Sequence, residues 1–197
     1  AVAILTQATG AYIALIQSLG VIGAWAPFVV EIVIAIYLGA RIEKIKPSTA
    51  RVMFYVYAAI MGFSLSTIFM AYDLGISLAL CAGFFFALTM LGMTTKVNML
   101  KAGPILLVGL IVLIVAEMLL MIFAPGQTML MVISAIGLVL FAGMTVYDAQ
   151  ATRALFAQYA GQGEDMVKKV SIICALNLYL DFINMFLYIL QLFGDRD

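Results

Sequence analysis

The chain has 197 residues, 66% of them hydrophobic and 10% charged, with a mean hydropathy of +1.19. A soluble domain carries about 25% charged residues, so this composition excludes an ordinary water-soluble protein and points to an integral membrane protein. The formal net charge is zero and there is no histidine. That leaves no basic surface for nucleic acid and rules out histidine-based triads and histidine-ligated zinc.

Seven apolar segments can be cut from the chain, each near the roughly 20 residues a span needs. They lie at about 1–20, 25–42, 50–72, 75–95, 102–124, 127–148 and 170–193. The first is read as a span rather than a cleavable signal. Trp25 and Pro27 mark the start of the second, with Trp at an interface and Pro in a first turn. Arg41 to Lys46 forms a charged turn, and Pro47-Ser48-Thr49 starts the next helix. Asp73 and Gly75 mark a turn, Lys96 to Gly103 another, and Pro125-Gly126 a third. The longest predicted loop is 149–169. Small residues four apart, at Ala35/Gly39, Ala58/Gly62 and Ala79/Gly83, allow helices to pack closely in lipid. The two cysteines, Cys81 and Cys174, lie in apolar stretches and read as buried free thiols. The whole chain, 1–197, reads as one transmembrane domain.

Nine of the ten basic residues fall on alternate loops: Arg41, Lys44, Lys46 and Arg51, then Lys96 and Lys101, then Arg153, Lys168 and Lys169. The positive-inside rule makes that side cytoplasmic, which places the N-terminus inside and, with seven spans, the C-terminus outside. A faint echo between Val29–Ile34 and Val115–Leu120, each with one Glu, fits three spans and three inverted spans around a seventh.

The last span organises the rest. Ser171, Cys174, Asn177, Asp181, Asn184, Tyr188 and Gln191 follow one another at steps of three and four, which puts them on one helical stripe. Such a stripe belongs inside a bundle. A carboxylate facing the bilayer centre costs roughly 2.5–3.5 kcal/mol on insertion scales, so Asp181 needs a partner. Ser134, Gly137, Phe141, Thr145 and Asp148 give the sixth span a matching small-and-polar face. Asp148 is expected at the end of that span. Asp181 lies about 16 Å into the seventh from the same side, at 1.5 Å per residue, so a late start or a tilt of that helix brings the two carboxyls together. Carboxyls in contact share one proton and titrate as a pair. That makes a latch which holds while protonated and repels when the proton leaves. Arg41 is a candidate counter-charge, and equally a snorkelling anchor. Glu31 and Glu117 are two further intramembrane acids, candidates for an ion pathway or for packing bonds.

Enzyme readings find little support. No span holds a central Lys for a Ser-Lys pair or a retinal Schiff base, and no Gly-rich phosphate loop follows a strand pattern. A two-aspartate intramembrane protease is a formal alternative, though no Gly stands just before Asp181.

Four stretches carry a family resemblance: Met61-Gly62-Phe63-Ser64-Leu65-Ser66, Gly92-Met93-Thr94-Thr95-Lys96, Phe141 to Gln150, and Leu178-Tyr179-Leu180-Asp181-Phe182-Ile183-Asn184-Met185-Phe186. The chain resembles the transmembrane BAX inhibitor motif family, also called the BAX inhibitor-1 family, in its bacterial branch. The likeness runs from the second span onward; the first 24 residues share hydropathy alone. The resemblance implies an all-α membrane fold of seven helices, six wrapped around a central seventh, in a bacterial inner membrane. It also implies a calcium leak governed by a pH-sensing aspartate pair, which maps to Asp148 and Asp181, with Arg41 as the family's nearby arginine. Asn98 stands where bacterial relatives often have Asp, and Glu117 where the family is usually uncharged.

The expected function is passive calcium passage beside the seventh helix, with no cofactor. Calcium prefers six to eight oxygens. Asp148, Asp181, Asn177, Asn184 and Glu31 offer a sparse set, so the sites are expected to be weak and transient. Two alternatives stand beside this: a proton-coupled ion transporter, and a regulator of a membrane-embedded ATP-dependent protease, a partner that the family resemblance implies.

Overall fold

The computed structural model describes residues 2–68, 74–123 and 126–194. They are helical, with no strand among them. Eight α-helices follow in order: α1 Val2–Thr9, α2 Ala11–Leu19, α3 Val21–Arg41, α4 Pro47–Ser64, α5 Leu74–Thr94, α6 Gly103–Phe123, α7 Gln127–Tyr159 and α8 Glu164–Phe193. Five of them (α3, α5, α6, α7 and α8) are long and apolar enough to cross a membrane; α1 and α2 together make a sixth if the bent pair is one span. The expected span 50–72 corresponds to α4 and the 3-10 turn Leu65–Thr67; its last residues, 69–72, lie outside the described residues.

Three expected boundaries shift, each for a local reason. The first segment is not one rod. Gly10 sits at φ +64, a conformation that costs Gly nothing for lack of a Cβ, and α1 and α2 meet there at 62°. The second span starts at Val21, four residues before Trp25, so Pro27 falls inside α3 rather than in its first turn. The expected 149–169 loop shrinks to 160–163. Residues 149–159 are mostly Ala, Gln, Leu and Arg, all good helix formers, and helical bonding continues where apolarity ends. Gly163, at φ +96, marks the turn into α8.

Contacts divide the chain into two units: Ala1–Asp73 with Tyr159–Ile173 and Arg196–Asp197, and Leu74–Gln158 with Cys174–Asp195. In the first, α1 lies close on α4: a Cβ at Gly62 would stand 3.2 Å from Val2 Cβ. This is the close approach expected of a small-residue pair. Tyr12 donates to Ala24 O at 3.0 Å and meets the Phe63 ring edge-on at 5.1 Å. Lys169 Nζ donates to Glu43 O at 2.9 Å, tying the start of α8 to the turn after α3.

The second unit holds α5, α6, α7 and most of α8. Its close approaches fall at glycines outside the expected pairs. A Cβ at Gly92 on α5 would stand 2.6 Å from Val146 O of α7, and one at Gly137 on α7 would meet the Tyr188 ring at 2.5–2.7 Å. At Gly39 and Gly83, by contrast, a Cβ meets no described atom within 4 Å. Within this unit α8 touches all three other helices. Phe182 packs edge-on against Phe85 of α5 at 5.4 Å, Tyr188 reaches Glu117 of α6, and Met185 accepts from Thr145 of α7.

Candidate functional site

The site sits on the α7–α8 contact, where the two predicted stripes face each other. Ser134, Gly137, Phe141, Thr145 and Asp148 of α7 are all buried. From Met166 to Leu192 only Ala175 of α8 is exposed. Several polar groups of the stripes find partners that lipid cannot offer. The Ser134 hydroxyl donates to Gln191 Oε1. Thr145 Oγ1 donates to its own helix at Phe141 O, 2.8 Å away, and approaches Met185 Sδ at 3.2 Å.

Asp148 and Asp181 meet at the heart of this contact. Asp181 is 1% exposed and Asp148 8%. Their carboxyls stand close enough to interact, and the Asn177 side chain lies beside Asp148. Asp181 Oδ2 is buried with no hydrogen-bond partner among the described residues. Neither acid sits at a helix end. α7 runs eleven residues past Asp148, and α8 starts six residues before the expected 170, so continuous helix on both sides fixes the pair.

The remaining acids are bonded singly. Glu31 on α3 is 4% exposed and accepts from Ser64 of α4 at 2.7 Å, inside the first unit. Glu117 on α6 accepts from the Tyr188 hydroxyl at 2.6 Å. In both, one hydroxyl bonds one carboxylate across two helices, the arrangement of a packing bond. No group of three or more Cys, Asp or Glu side chains among the described residues is placed to hold a metal ion. Two carboxylates and an amide fall short of the six to eight oxygens that calcium prefers, so the pair is no calcium cage.

The family described as inhibitor of apoptosis-promoting Bax1 matches residues 1–197. The chain belongs to that family. Among its relatives, the inner membrane protein YbhL of Escherichia coli K12 is 32% identical over 171 residues, covering 85% of this chain and 73% of YbhL. A protein of Borreliella burgdorferi is 35% identical over 163 residues, covering 81% and 69%. YrjE of Lactococcus lactis is 40% identical over 146 residues, covering 72% and 60%. With several helices long and apolar enough to cross a bilayer, this is a multi-pass membrane protein of the Bax inhibitor family, and one of its relatives is an inner membrane protein.

Other expected site residues of this Bax inhibitor chain take separate places. Arg41 is the last residue of α3, exposed, and belongs to the first unit. Asn184 lies two-thirds along α8 and donates to Leu180 O of its own helix at 2.8 Å. One residue escaped the sequence reading as a functional element. Gln150, 5% exposed, accepts from Met99 N at 2.8 Å and donates to Val97 O at 2.7 Å, holding the α5–α6 loop with both ends of its amide. Its only signal in sequence is its place in the Tyr147-Asp148-Ala149-Gln150 motif.

Proposed function

We propose that the protein is a pH-sensitive calcium leak, closed while Asp148 and Asp181 share a proton. The supporting observation is the contact of two buried carboxyls from separate helices, one with an oxygen that no described donor serves. Two unit charges about 4 Å apart repel by about 4 kcal/mol at an effective dielectric of 20. A shared proton removes that repulsion and turns one carboxyl into a donor. When the proton leaves as pH rises, the helices are pushed apart. Calcium then passes along α8, touching Asp148, Asp181, Asn177 and Asn184 in transit. Glu117, where Tyr188 releases it, adds an oxygen further along, and Glu31 is a separate pathway candidate on α3. Arg41, exposed at the end of α3 in the first unit, stays a counter-charge candidate on the family resemblance alone. The alternation of basic loops supports a cytoplasmic N-terminus.

Calcium flux into proteoliposomes, measured against pH, tests the reading. Wild-type flux is expected to rise with pH. Asp181→Asn keeps a neutral, hydrogen-bonded partner for Asp148 at every pH and should flatten the profile. A pH profile unchanged in Asp181→Asn sinks the latch. Flux no greater than in empty liposomes sinks the leak and leaves the protease regulator. Flux that follows an imposed proton gradient, rather than pH itself, identifies a proton-coupled transporter.

A further inference from the structure

A second polar feature lies away from the aspartate pair. The loop joining α5 to α6 and the last third of α7 line an open cleft of about 600 Å³. Lys96 and Arg153 line it together with Thr95 and Asn98, and its lining holds no carboxylate. Its shape is set in advance. Gln150 clamps the loop backbone at Val97 and Met99, Thr95 Oγ1 accepts from Val97 N at 3.2 Å, and Asn98 Oδ1 accepts from Leu100 N at 3.1 Å. Arg153 donates through Nη1 to Met93 O at 2.7 Å, which fixes the guanidinium over the end of α5. That bond uses one of its five donors, and the planar fork suits a bridging phosphate.

The apolar part of the lining indicates the source of such an anion. Val97 is 65% exposed and Leu100 39%, beside the two cations. Just beyond, α6 opens with Ile105, 75% exposed. A soluble anion has no use for that surface, whereas a lipid lays its glycerol and upper acyl carbons on it. Basic pockets between membrane helices take anionic headgroups on these terms. We propose that this cleft binds the phosphate of an anionic phospholipid, through Lys96 and Arg153, with its apolar portion against Val97 and Leu100.

Native mass spectrometry of the full chain in detergent, with added phosphatidylglycerol or phosphatidylcholine, tests this. Wild type should retain phosphatidylglycerol over phosphatidylcholine. Lys96→Gln, at an exposed position where the fold should hold, should lower phosphatidylglycerol retention about fivefold, the effect of one cation near an anionic headgroup. Arg51→Gln removes the same charge elsewhere and should change retention little. Unchanged retention in Lys96→Gln, or equal loss in Arg51→Gln, overturns the site. Inorganic phosphate provides the second arm. If millimolar phosphate leaves bound phosphatidylglycerol in place, the lipid assignment stands. If it displaces the lipid from wild type, and does so less well in Lys96→Gln, the lipid assignment falls to a soluble phosphate.

Discussion

α6 and α8 cross the same unit and are sorted in opposite ways. α6 is the most apolar of the five span candidates, and Leu113 is its one buried residue among those described. α8 is the least apolar, yet from Met166 to Leu192 it exposes only Ala175. In water the order would be reversed. In a bilayer, acyl chains serve a leucine as well as a protein interior does, so apolarity gives a helix no reason to be inside. What must go inside is the group that lipid cannot serve: a carboxyl, an amide, a hydroxyl. α8 is interior because of Asp181, Asn177, Tyr188 and Gln191, and its leucines follow.

Three substitutions sharpen this contrast. The largest effect is expected at the α7–α8 contact. In Gly137→Val the new Cβ would overlap the Tyr188 ring carbons, and Tyr188 is 8% exposed and bonded to Glu117. Overpacking of this kind costs about 3 kcal/mol, read as lost thermal stability in detergent. A stability equal to wild type would mean that α8 is not held against α7. Tyr188→Phe should cost less, about 1 kcal/mol. It keeps the ring and removes the bond to Glu117, and bonds between membrane helices average about 0.6 kcal/mol. A double-mutant cycle with Glu117→Leu, which removes the acceptor, isolates the pair and should return a coupling of that size. The smallest effect is expected on α6. Val112, 61% exposed, should tolerate Ala within about 0.5 kcal/mol. A loss well beyond that would show a protein contact where the comparison puts lipid.

The polar stripe of α8 was legible in the sequence and its surroundings were not. Seven polar residues at steps of three and four have no reading other than one buried face, and the partner face on α7 showed the same rhythm. Helix ends were harder, because apolarity marks where a membrane stops and not where hydrogen bonding stops. Residues 149–159 are polar enough to look like loop and are still good helix. Gly10 looked like any small residue within an apolar run, and only its positive φ reveals the break. The small-residue pairs named Gly62 correctly, but at Gly39 and Gly83 a Cβ meets no described atom within 4 Å, while Gly92 and Gly137, outside those pairs, make tight contacts. Closeness depends on which face a neighbour covers, and that information is tertiary. The Tyr188–Glu117 bond joins residues 71 apart, beyond the reach of any local pattern.

The length of α7 has a mechanical consequence. Its 33 residues make a rod of about 50 Å at 1.5 Å per residue, against an acyl layer of about 30 Å. Much of that shaft must stand clear of the hydrocarbon, with unbroken helix between its outer end and Asp148. Anything that grips the outer end, protein or lipid, has a stiff handle on a buried carboxyl, steadied on the way by the bonds of Gln150 and Arg153 to the α5–α6 loop and the end of α5.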